Sequence, residues 1–99
     1  MKKRGKFHII ATKRFTEEEQ GLIFYFCRCY NKLPEDKQRI LDELYLRVGK
    51  EHYAALRAVM ESDDAFVKIC RDYYIASQTT LCRLRAKFFN EFPFEEMVK

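Results

Sequence analysis

Four cysteines (Cys27, Cys29, Cys70, Cys82), two histidines (His8, His52) and the acidic run Glu17-Glu18-Glu19 are the side chains in this sequence suited to metal binding or nucleophilic chemistry. Their spacing argues against both. Cys27 and Cys29 are two positions apart, so on a helix they point about 200° apart and cannot easily share an ion. Cys70 and Cys82 have no histidine nearby, and the two histidines lie far apart in sequence. The chain contains neither a Gly-rich phosphate loop nor a paired-acid motif. The three acids suit the positive end of a helix better than they suit a cation. The sequence therefore predicts no enzyme and no cofactor, with the cysteines serving as buried structural residues.

A different chemistry is carried by Ser77-Gln78-Thr79-Thr80-Leu81 and the basic residues that follow. Ser77 is a good helix N-cap, and small polar side chains at a helix start fit the major groove of DNA, where Gln pairs bidentately with adenine. Leu81, Leu84, Phe88 and Phe92 recur every three or four residues and form the inward stripe. Thr79, Arg83, Ala86, Lys87 and Asn90 then point outward. Arg85 falls beside the apolar stripe, where it is expected to snorkel with its head at a phosphate. Residues 65–90 hold five basic groups (Lys68, Arg71, Arg83, Arg85, Lys87) against the single acid Asp72. A polar helix face with three basic residues is also what a simple solvated surface looks like.

Such a helix needs a brace. Only three Gly and two Pro in 99 residues are too few for a turn-rich β fold. The expected fold is all-α, a compact bundle of four to five helices. Thr16 and Glu19 make a capping box for a helix running to about Tyr30. Leu22, Ile23, Phe24, Phe26 and Cys27 make that helix apolar on most sides, which suits the middle of the fold or a subunit interface. Pro34 opens a second helix with the stripe Ile40, Leu41, Leu44, Tyr45 and Val48, stopped at Gly49. A third, about 50–61, turns Tyr53, Leu56, Val59 and Met60 inward. Ser62 or Asp63 caps a fourth that runs to about Tyr74 with Phe66, Ile69, Cys70 and Tyr73 inward, and Pro93 closes the fifth. The last two helices, about 64–92, have the outline of a helix-turn-helix.

Charge divides the chain into two parts. Residues 1–14 carry Lys2, Lys3, Arg4, Lys6, Lys13 and Arg14 with no acid, giving +6. The remaining 13 basic and 15 acidic groups leave −2. Residues 1–15 are read as a basic arm on a single domain, 16–99, and such an arm grips a polyanion or serves as a solubilising tail. The longest apolar run, Leu22 to Cys27, is about a third of what a bilayer crossing needs. No apolar stretch of adequate length follows Lys6, so no export signal is expected. Reduced thiols and a cytoplasmic location follow from that expectation, with no membrane partner.

Leu33-Pro34-Glu35-Asp36-Lys37-Gln38-Arg39-Ile40-Leu41, followed by Tyr45 and Gly49, resembles the helix that opens the fourth region of sigma factors and of sigma-like regulators of phages and mobile elements. The resemblance covers roughly residues 33–92. It implies a helix-turn-helix reading promoter DNA, with Ser77 to Lys87 on the recognition helix and RNA polymerase or another host protein as a further partner. Double-stranded DNA is the expected ligand, and pairing of two copies would read two half-sites. The competing expectation is a helical protein–protein module. Phe88-Phe89 and Phe92-Pro93-Phe94 put rings on several sides of the last helix, so at least one of Phe89 and Phe94 is expected to lie outside the core as an exposed anchor or dimer contact. Phe7, Ile9 and Ile10 would form a short edge strand or a packing arm.

Overall fold

In the computed structural model, which describes residues 15–98, Thr16 opens α1 (Glu17–Arg28) through a reciprocal capping box. The Glu19 amide donates to Thr16 Oγ1 at 3.1 Å, and the Thr16 amide donates to Glu19 Oε1 at 2.9 Å. Two free N–H groups are thereby satisfied beside three acids that suit the helix dipole. After a 3-10 turn at Tyr30–Lys32, the Pro34 carbonyl receives the amides of Lys37 and Gln38 and starts α2 (Glu35–Gly49). A second 3-10 turn, Lys50–His52, leads into α3 (Tyr53–Glu61). Then come α4 (Phe66–Asp72), α5 (Gln78–Glu91) and a last turn of helix, α6 (Phe94–Val98). The fold is an all-α bundle, and no strand occurs among the described residues. The six basic arm residues, together with Phe7, Ile9 and Ile10, lie outside the described residues.

The central element is α3, not α1. It packs against α1, α2, α4 and α5, and Ala55, Leu56, Val59 and Met60 are buried. Gly49 allows this closeness: a Cβ there would sit 3.3 Å from Leu56 Cδ2. On α1, Ile23, Phe24 and Cys27 are buried while Leu22 and Tyr25 are exposed, so the helix lies on the outside of the bundle. Its apolar excess is spread around the helix, and only one face finds α3.

Two other expectations are corrected. Ser62 and Asp63 do not cap α4. Ser62 instead ends α3, donating to the Ala58 carbonyl at 2.7 Å, and α4 starts after Ala65 with no side-chain cap. Tyr73 does not point inward, and with Val67 and Tyr74 it is exposed. The chain leaves α4 through a six-to-one bond from the Ile75 amide to the Cys70 carbonyl at 2.8 Å, with Ile75 buried beneath it. This is a Schellman closure, and it requires a left-handed residue at the position after the cap.

That residue is Tyr74, at φ 58° and 94% exposed. The conformation costs an L residue about 1–2 kcal/mol, while glycine loses about 0.5–1 kcal/mol more entropy on folding. Tyr74→Gly should therefore raise stability by about 0.5–1 kcal/mol in urea denaturation. A loss instead would mean that the exposed ring makes stabilising contacts.

Candidate nucleic-acid interface

The roll of α5 about its axis decides what it presents, and two adjacent rings set it. Phe88 and Phe89 are both fully buried. The Phe88 ring stacks on Tyr45 of α2, with centroids 5.1 Å apart, and the Phe89 ring meets Phe24 of α1 edge-on at 5.3 Å. Phe92 continues the contact to Phe26 at 6.4 Å. Neighbouring residues on a helix point about 100° apart. Burying both rings therefore hides a wide sector and leaves the opposite sector to solvent. Thr79, Arg83, Lys87 and Asn90 occupy that open sector and are exposed, while Ala86, expected with them, is half-buried. The start of the helix is held by Ser77, whose Oγ accepts from the Thr79 amide at 3.1 Å.

The same burial disposes of the expected exposed anchor. Phe89 lies in the core, and Phe94 is half-buried between Phe15 and Phe92 at centroid distances of 5.3 and 6.3 Å. Neither ring projects from the bundle. Leu84, on the inward stripe, is only partly buried.

The basic residues differ in how free they are. On α4, Lys68 lies 2.8 Å from Asp72 and 3.5 Å from Asp64, and Arg71 lies 3.7 Å from Asp72. The Asp72 hydrogen bond pushes the Lys68 pKa up, and the same bond pulls the Asp72 pKa down. Two of the five cations of this segment are thus already neutralised. Arg83, Arg85 and Lys87 have no acid within ion-pair distance among the described residues.

Arg85 does not share a face with the other two. It lies in the sector between Phe88 and Phe89, half-buried, with its guanidinium 5.0 Å from the Phe66 centroid. Its Nε is buried without a hydrogen-bond partner, and burial lowers its pKa. The expected snorkel is therefore seen for the stem, while the head covers Phe66. Gln78 stands on this side too, and with Arg85 and Cys82 it lines a groove facing α1. The sequence-predicted set thus divides. Thr79, Arg83 and Lys87 share the outer face, Gln78 and Arg85 line the groove, Thr80 is partly buried, and Ser77 is the cap. Cys82 was missed as a site residue. It lies four residues after Gln78 and three before Arg85, a spacing that puts all three along one side of a helix.

Among the described residues no cluster of His, Cys, Asp or Glu could hold a metal, and no helix is long and apolar enough to cross a membrane. Of the four cysteines expected to be buried only Cys27 is, its thiol pushed up to about 12 by loss of solvation; Cys29 and Cys70 are half-buried and Cys82 is exposed. No protein-family model matches the chain, nor does any curated protein or solved structure.

Arg85 carries two opposing contributions. A buried unsatisfied donor costs about 1–3 kcal/mol, and a partly exposed cation–π contact returns about 0.5–2 kcal/mol. Arg85→Met keeps the stem and removes both. It should leave stability unchanged or raise it by up to about 1 kcal/mol, measured by thermal unfolding. A drop of more than about 1 kcal/mol would show that the ring contact dominates.

Proposed function

We propose that this chain is a sequence-specific DNA-binding helix-turn-helix protein, a transcriptional regulator of the kind found in phages and mobile elements. In this reading α4 braces α5, and α5 enters the major groove. The observation that carries it is the outer face of α5. Arg83 and Lys87 are exposed and have no acid partner among the described residues, and they are flanked by Thr79 and Asn90 on a helix whose rotation is fixed by buried rings. Base readout needs such side chains held at a defined angle, and phosphates attract cations not already paired. The likeness of residues 33–49 to the fourth region of sigma factors supports the same reading. It adds RNA polymerase as a partner and a cytoplasmic setting, and pairing of two copies would match a two-fold site. No catalytic step is assigned to the protein.

The direct test is Arg83→Ala with Lys87→Ala, measured as affinity for a selected duplex at fixed salt. The double variant should lose about 1–3 kcal/mol for each base contact removed. Its melting temperature should match wild type, because neither side chain has a partner among the described residues. Unchanged affinity would remove α5 from the interface.

The arm provides a separate test. Deleting residues 2–6 removes Lys2, Lys3, Arg4 and Lys6. Each phosphate neutralised contributes about 0.9 to the slope of log affinity against log salt, so the slope should fall by up to about 3–4 units. Sequence preference should survive, since phosphate contacts position without specifying. Equal slopes would assign the arm to a tail or to a protein partner.

One observation favours the second reading, a small helical module that binds and modulates a host protein. Val67, Tyr73 and Tyr74 are each exposed on α4 and its exit, and Tyr74 holds a left-handed conformation at φ 58°. Exposed aromatics held at such a cost suit a protein contact. Tyr74→Ala separates the two readings: it should spare DNA affinity and weaken only a protein complex.

A further inference from the structure

We propose that the groove between α1, the 62–66 connection and α5 binds a small organic monoanion, a carboxylate on an apolar body. The site is separate from the outer face of α5, and the proposal does not depend on DNA binding. The cavity measures about 510 Å³, within the range that holds small ligands. Its apolar lining comes from Phe24, Val59 and Phe66, and its polar wall from Gln78, Cys82 and Arg85. These last three lie along one side of α5.

Charge in the groove is unevenly satisfied. Asp63 pairs with Arg28 at 2.5 Å, and Arg28 also donates to the Ser62 carbonyl at 3.2 Å. Asp64 is 3.5 Å from Lys68. Both acids therefore have cations already. Arg85 has none among the described residues: it has only the Phe66 ring at 5.0 Å, and its Nε is buried without a hydrogen-bond partner. A guanidinium in this state lacks what a carboxylate supplies, two acceptor oxygens in one plane and a compensating charge. The Gln78 side-chain amide, on the same wall, offers a further donor.

The remaining surroundings narrow the ligand class. One unpaired cation balances one negative charge. The second charge of a dianion such as a phosphate monoester finds no further unpaired cation among the described lining residues, where Arg28 already pairs with Asp63. The apolar lining gains from covering an aromatic or aliphatic body and gains nothing from a bare inorganic ion. Cys82 is exposed on the wall, so its accessibility reports occupancy.

The test uses the full chain with benzoate, benzamide and inorganic phosphate as probes. Binding is followed by amide chemical shifts and by the rate at which iodoacetamide labels Cys82. Benzoate should shift residues 63–66 and 78–85 saturably and slow Cys82 labelling several-fold, leaving Cys29 labelling unchanged. Benzamide, equal in shape but uncharged, should bind about tenfold more weakly or worse. Arg85→Met, checked as folded by its melting curve, should bind the two equally weakly. The proposal is overturned if benzoate shows no saturable effect up to about 50 mM. Equal wild-type binding of acid and amide would overturn it too, as would phosphate binding as tightly as benzoate or an acid preference that persists in Arg85→Met.

Discussion

Two adjacent phenylalanines buried against two different helices are the constraint from which the surface of this protein follows. Phe88 reaches Tyr45 on α2 and Phe89 reaches Phe24 on α1. A helix with one buried ring could roll by tens of degrees with little change in buried area. With rings about 100° apart seated in separate places, any roll lifts one of them from its partner. Ring pairs add about 0.5–1.5 kcal/mol beyond their area, so the two contacts oppose rotation in either sense. Tyr45 is itself fixed, since it also meets Tyr53 edge-on at 6.3 Å and lies 5.1 Å below the Arg57 guanidinium.

Arg57 serves α2 and α3 as the rings serve α5. Its guanidinium lies over Tyr30 at 4.5 Å and pairs with Glu61 at 3.0 Å and Asp42 at 3.7 Å. Burial opposes the cation, but the Tyr53 hydroxyl and the Glu61 carboxylate outweigh it and its pKa rises. The Tyr30 hydroxyl donates to Asp42 at 2.7 Å, which closes the group and raises the tyrosine pKa. Arg57 and Arg85 are thus opposite cases of one residue type. The first has carboxylates and rings around it, and the second has a ring and an open groove.

Much of the fold was legible because its signals are local. The Thr16–Glu19 box, the Pro34 start and the Ser77 cap each involve residues within four positions of one another, whereas Gly49 is still helical and the left-handed residue that ends α2 is Lys50, at φ 51°. Periodicity gave most of the inward stripe of α2, since Leu41, Leu44, Tyr45 and Val48 are buried and Ile40 is partly buried against them. What was not legible depends on packing between helices. The composition of α1 says that it is apolar without saying which face meets α3, so Leu22 and Tyr25 end outside. By helical spacing Tyr73 reads as core, while Tyr74 marks only the end of the helix. Both are turned out by a backbone closure that buries Ile75 in their place. The exposed ring expected at Phe89 or Phe94 failed for a related reason. α6 folds back so that Met97 is buried and Phe94 packs on Phe15, which a wheel for α5 alone cannot show.

The site was legible in its outer face and not in its division. A wheel drawn from Leu81, Leu84 and Phe88 places Thr79, Arg83 and Lys87 outward, where they are found. It cannot separate a basic residue facing open solvent from one facing a groove walled by another helix, and that distinction removes Gln78 and Arg85 from the outer set. Counting charges along the sequence also overstates the field. Lys68 and Arg71 add to a tally over residues 65–90, but Asp64 and Asp72 cancel them in space. What remains on the outer face is a pair of cations one helical turn apart. Two charges are too few to give tight binding to a polyanion by themselves, since affinity at physiological salt grows with the number of phosphates neutralised. A DNA-binding role for α5 therefore requires positive charge from elsewhere in the chain, and the +6 carried by residues 1–14 is where the sequence holds it.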